Sequence, residues 1–175
     1  MEQNEIKFIV DYEAEEVKVS GFSELEGRGG LYVGDGMAMF WGEGWRNHEL
    51  FIANTQTGKI RKLSTEDGTM LVDDSEIDFK SIEKKCRYGY KNARNKDIRY
   101  AAVNRCDCFK KGICAISWMI YPDGRYFEDS DGFGGEDNDV EFVYAIINTN
   151  LDIIEPFRPV DDIKKYLEEL RSEIG

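Results

Sequence analysis

Turn signals recur at short intervals along this chain, and each separates two short apolar runs. Asp35-Gly36 divides Leu31-Tyr-Val-Gly34 from Met37-Ala-Met-Phe-Trp41. Asp-Gly favours a two-residue hairpin because both central residues of such a turn take positive φ. Thr57-Gly58 sits between Leu50-Phe-Ile-Ala53 and Lys59-Ile-Arg-Lys-Leu63, and Asn148-Thr-Asn150 between runs at 141–147 and 151–155. Ile113 to Tyr121 is an apolar run with Trp118 inside it, and Pro122-Asp-Gly124 then turns the chain toward residues 125–127. Further strands are expected at 6–10, 17–22, 69–72 and 98–104. Successive hairpins imply antiparallel sheet, not the strand–helix alternation of parallel folds.

Two segments carry a helical period instead. Ser75-Glu-Ile-Asp78 resembles a capping box, and Phe79, Ile82 and Cys86 follow at helical spacing up to Gly89. The second helix is predicted over about 162–174. Ile163, Tyr166, Leu167, Leu170 and Ile174 form its apolar stripe, and Lys164–Glu168 and Lys165–Glu169 are i,i+4 pairs on the wet face. The expected fold is therefore α+β. It has a large, mostly antiparallel, curved or partly closed sheet flanked by helices at about 76–88 and 162–174. The 175 residues fit one domain over 1–175, with a weak subdivision conceivable near residue 75.

Composition excludes several classes. With 41% hydrophobic and 13% aromatic residues the chain is not of the disordered type. No apolar run approaches the ~20 residues of a membrane helix, so no membrane partner is expected. The N-terminus, MEQNEIKFIV, lacks a charged-then-apolar leader. That pattern points to a cytoplasmic protein with reduced thiols.

Charge is distributed unevenly. Residues 80–111 hold eleven Lys/Arg against three acids, net +8, and the rest of the chain is net −20, which together give −12. Lys80, Lys84, Arg87 and Lys91 fall on one helical face, with Tyr88, Tyr90 and Tyr100 nearby. Basic residues among aromatics can hold single-stranded nucleic acid, but the acidic remainder argues against it.

The densest charge lies at 128–141, EDSDGFGGEDNDVE, where seven of fourteen residues are carboxylates and none is basic. Side chains that close repel one another unless a cation, a basic surface or water takes up the field. Read as an EF-hand from Asp129, the run places Asp131 and Gly134 correctly. Phe133, however, falls where an oxygen ligand belongs, and Val140 replaces the bidentate acid, with Glu141 one place late. It is not an EF-hand. A looser calcium site using Asp129, Asp131, Glu136, Asp137 or Asp139 is an alternative. The leading expectation is a docking surface of Glu128, Asp129, Asp131, Phe133, Glu136, Asp137 and Asp139 for a basic protein. Phe133 would be its apolar contact.

Other chemistry is sparse. Cys106-Asp-Cys108 and Cys114 bracket a Lys-Lys-Gly turn, and Cys86 lies upstream. Zinc sites space paired ligands by two to four residues, so these cysteines read as core thiols and zinc is disfavoured. His48, the single histidine, and Trp41, Trp45 and Trp118 are the residues from which an aromatic ligand pocket in the sheet would be built, with Glu43 or Glu49 as polar groups. No P-loop, dinucleotide fingerprint, H-E-x-x-H or G-x-S-x-G occurs. No catalytic residue is assigned, and a non-enzymatic role is favoured. The sequence thus supports a cytoplasmic binding protein for a basic partner, in a toxin-neutralising or adaptor role. The alternatives are an enzyme or small-ligand binder with an aromatic pocket, and a calcium-stabilised module.

Overall fold

Asp35 and Gly36 both take positive φ, 49° and 81°, as a type I′ hairpin turn requires. Lys111 and Gly112 do the same at 54° and 79°. Around such turns the computed structural model describes residues 5–42, 47, 49–66, 70–85, 101–106, 108–120, 141–159 and 163–174. For 83–85, 101–106, 118–120, 141, 163–164 and 174 it describes the backbone alone.

The strands are β1 (Lys7–Asp11), β2 (Glu16–Ser20), β3 (Gly29–Gly34), β4 (Met37–Trp41), β5 (Leu50–Asn54), β6 (Ile60–Ser64), β7 (Ala101–Cys106), β8 (Ile113–Ile120), β9 (Glu141–Asn148) and β10 (Ile153–Arg158). The helices are α1 (Phe79–Lys85) and α2 (Ile163–Ile174). Every strand pair is antiparallel, so the α+β expectation holds. The strands form two sheets, not one: β1 to β6 in sequence order, and β10-β9-β8-β7. Neither closes into a barrel. Of the stretch expected as a strand at 69–72, residues 70–72 are described, and they make one bridge, Ser64 to Met70.

The two sheets pack face to face. Met37, Met39, Leu50, Ile52 and Leu63 from the first meet Cys114, Ile116, Val143, Ala145, Ile147 and Phe157 from the second in one buried cluster. The other face of β4 and β5 is buried as well. Ala38, Phe40, Phe51 and Ala53 pack on Val17, Val19 and Leu25, with Phe8, Val10 and Phe22 at the margin. The first sheet therefore curls its outer strands over its own second face. This explains why β4 and β5 read as unbroken apolar runs while β1 and β2 alternate. Gly30 is required in the curl, because a Cβ there would lie 2.5 Å from the Phe40 ring.

A set of polar contacts ties the hairpin ends together. Gly112 N–H donates to Asp35 Oδ2 (2.7 Å), and Thr149 N–H to Gly112 O (3.2 Å). Asn54 Nδ2 donates to Thr149 O (2.9 Å), and Phe109 N–H to Val33 O (2.6 Å). Arg61 reaches across to Leu151 O (2.7 Å) and to the Glu76 carboxylate (2.8 Å). Turns of both sheets thus satisfy one another's backbone groups.

The helices cover edges and faces. Leu167, with Tyr166 and Leu170, packs on Ile113, Ala115 and Ile146, so the expected stripe of α2 lies on the outer face of the second sheet. Arg171 donates to the carbonyls of Cys108 (2.8 Å), Lys110 (3.2 Å) and Ile113 (3.0 Å) and anchors the helix over the β7–β8 turn. The first helix starts later than its sequence implies. A 3-10 turn spans Asp74–Glu76, Ile77 is extended, and Asp78 caps α1 by accepting from the Ser81 N–H (3.0 Å) and hydroxyl (2.9 Å). Ile77 bridges Phe157, and Asp78 N–H donates to Phe157 O (2.8 Å). That long-range pairing holds residue 77 out of the helix. No helix among the described residues is long and apolar enough to cross a membrane.

Candidate functional site

The β8–β9 register fixes the two ends of the connection that carries the acidic run. Ile120 pairs with Glu141, and Ala101 at the start of β7 pairs with Ile120. Two interstrand spacings of about 4.8 Å separate Ala101 from Glu141. The run 121–140 connects the two strands at the end of the second sheet opposite Gly112. Antiparallel strands need only two to five connecting residues; here twenty lie between Ile120 and Glu141. Glu128, Asp129, Asp131, Phe133, Glu136, Asp137 and Asp139 fall outside the described residues, as does the turn at 122–124.

The base of the run is described and partly apolar. On β8 and β9, Ala115 and Ile146 lie under α2 on the outer face. Phe142 and Tyr144 continue that face toward Glu141, beyond the helix. Phe142 is 41% exposed. A large aromatic side chain thus stands in solvent one residue from the end of the densest negative segment in the chain. No local sequence pattern signals this exposure.

Residues 86–100, five basic against one acidic, lead into β7 two strands from Glu141. Residues 121–141 hold eight acids against one base, net −7, and 86–100 are net +4. Complete pairing of the two runs would still leave an excess of three negative charges.

The residues considered for an aromatic pocket separate. Trp45 and His48 fall outside the described residues, and Trp118 is described by its backbone, paired with Val103 and Val143. Trp41 is 39% exposed and pairs with Leu50, on the face of the inter-sheet core. Glu49 lies on the opposite face: Lys62, opposite Phe51 in the register, reaches the Glu49 carboxylate (3.3 Å) and stands 5.3 Å from the Phe51 ring centre. Trp41 and Glu49 therefore do not share a wall. The inside of the curled sheet is filled by Phe40, Phe51, Leu25 and Val17.

Glu49 is a structural carboxylate. Asn47 donates to it (3.1 Å), accepts from its N–H (3.0 Å), and occupies the space a side chain at Gly42 would need. Burial raises the Glu49 pKa, but the hydrogen bonds from Asn47 and Lys62 and the charges of Lys62 and Arg28 outweigh that effect, so it lies below its ordinary value of 4.5. A depressed folded pKa contributes stability that is complete above the unfolded value and lost as pH falls through the folded one. Glu49→Gln should therefore cost about 1 kcal/mol at neutral pH. Its unfolding curve should converge on that of the wild type well below pH 4.5, which urea titration across pH will read.

A cleft of about 630 Å³ opens beside α1, lined by Asp74, Ser75, Ile77, Asp78, Phe79 and Lys80. Its carboxylates are already in use. Asp78 caps the helix and Asp74 is engaged, while Glu76 behind them holds Arg61. Cys114 is a core thiol and Cys108 a free exposed one, while Cys86 falls outside the described residues. Among the described residues no three His, Cys, Asp or Glu converge on a metal-sized site.

No protein-family model matches the chain, and no curated protein or solved structure matches it significantly.

Proposed function

We propose that this chain is a binding protein that docks a basic partner protein through the acidic run Glu128–Glu141. Phe142 serves as the apolar anchor at its base. The observation that carries the reading is the 41% exposure of Phe142 beside a segment, 121–141, of net −7 that connects one pair of neighbouring strands. Interfaces gain specificity and on-rate from complementary charge and gain affinity from a few desolvated aromatics. The run supplies the first and Phe142 the second. Neutralising a basic toxin or nuclease is one form of this activity.

The test is a titration with poly-L-lysine of about twenty residues, followed by heat of binding at low and at physiological salt. Replacing Glu128, Asp129, Asp131, Glu136, Asp137 and Asp139 by their amides should weaken binding at least about tenfold. A control in which Glu13, Glu15, Glu26, Glu66, Glu168 and Glu173 become Gln removes the same charge from other exposed positions. Equal losses in the two variants would mean that total charge is read and not this run. Phe142→Ser should leave poly-L-lysine binding unchanged. It should weaken capture of a folded basic protein, such as a nuclease, by about tenfold.

A further inference from the structure

β1 is the outer strand of the six-stranded sheet, bonded on one side to β2. Among the described residues nothing pairs with its other side. Ile9, at its centre, is 71% exposed, more than any other large apolar residue described. Phe8 and Val10 point the other way and sit half-buried at the margin of the inner core. A row of free backbone donors and acceptors with an exposed Ile is a template for a further strand.

The sequence of the strand specifies which one. Lys7-Phe-Ile-Val-Asp11 is complementary to itself when reversed about Ile9. In an antiparallel pair of two copies, Lys7 faces the second copy's Asp11, Phe8 its Val10, and Ile9 its Ile9. We propose that β1 is a self-association edge, joining two copies of this chain through a two-fold axis at Ile9 into one continuous antiparallel sheet.

Three observations support the second copy as the occupant. Within its own sheet Asp11 stands opposite Glu16, a like-charge pair, and Lys7 opposite Ser20. Among the described residues neither has an ion-pair partner, so each lacks the charge that the second copy brings. Phe8 and Val10 would join the margins of two inner cores across the axis. A lysine on an edge strand ordinarily repels a neighbouring strand, but in this register it meets a carboxylate. The net charge of −12 on each copy opposes association. Exposed charges farther apart than about 8 Å are screened at physiological salt, so the contact pairs decide the outcome. A five-residue edge buries little area, and the association is of the weak, reversible kind.

Sedimentation equilibrium of the full chain from about 10 µM to about 1 mM spans the range in which small interfaces assemble. The wild type should pass from monomer to dimer. Lys7→Asp should weaken the dimer about tenfold, since two cross-strand pairs turn from attraction to repulsion. Lys7→Asp combined with Asp11→Lys restores opposite charges and should recover association to within about threefold. Asp11 also accepts from Ala14 N–H (3.0 Å), so near-UV circular dichroism must show the double variant folded. Ile9→Lys, at an exposed position, is the second probe and should likewise weaken the dimer at least about tenfold. A wild type monomeric throughout, a dimer indifferent to Lys7→Asp and Ile9→Lys, or a folded double variant no better than Lys7→Asp would overturn the proposal.

Discussion

Gly34→Ala should destabilise the protein by about 2–4 kcal/mol, far more than its single added methyl group implies. Two costs coincide at this residue. Its φ is +96°, a conformation that costs a residue with a side chain about 1 kcal/mol. A Cβ there would lie 2.5 Å from Phe109 O and 3.0 Å from Cys108 Sγ. The carbonyl belongs to backbone that cannot swing aside, because Phe109 N–H is held by Val33 O and the Phe109 ring is 2% exposed. Gly34 is thus where β3 meets the approach to the β7–β8 turn. The control is Gly58→Ala. Gly58 has φ +81° and open space around it, so it should show the conformational cost alone, about 1 kcal/mol. Urea unfolding of the two variants separates the contact from the dihedral. Equal losses would remove the close approach from the account.

Phe157→Ala should cost about 3–5 kcal/mol, the range for deleting a buried aromatic ring. Phe157 is fully buried in the inter-sheet cluster on β10. Its carbonyl holds Asp78 N–H, the residue that caps α1. Losing the ring should therefore loosen α1 together with the core, and amide exchange at Ile82 should accelerate with the global fall in stability. Ile154→Ala, three residues away and 43% exposed, should cost under about 0.5 kcal/mol. Similar losses for the two would mean that β10 is not held by the packing described.

The hairpins were legible in the sequence because their turns are local chemistry. Asp35-Gly36 and Lys111-Gly112 take the positive φ that only a few residue types adopt at low cost. The amphipathic stripe of α2 was legible for the same reason: Leu167 and its helical neighbours face the sheet at the expected spacing. The division into two sheets was not legible. It depends on which hairpins face each other, and the burial of Met39 and Ile116 in one cluster is decided by packing between residues far apart in sequence. The start of α1 was hidden in a similar way. Ser75 has the side chain of a cap, but the pairing of Ile77 with Phe157, eighty residues on, moves that role to Asp78. The acidic run was visible as composition alone. Phe142 was missed, because its exposure is set by tertiary packing and not by a local pattern.

Thermal unfolding of the free protein at low and at high salt tests most directly whether the carboxylates of Glu128–Glu141 await a partner. Like charges without an internal counterpart destabilise the fold, so added salt should raise the midpoint. The six-amide variant should melt at or above the wild type and respond less to salt. A midpoint that falls on neutralising those six side chains, or that drops as salt is added, would show them already engaged by this chain's own lysines and arginines.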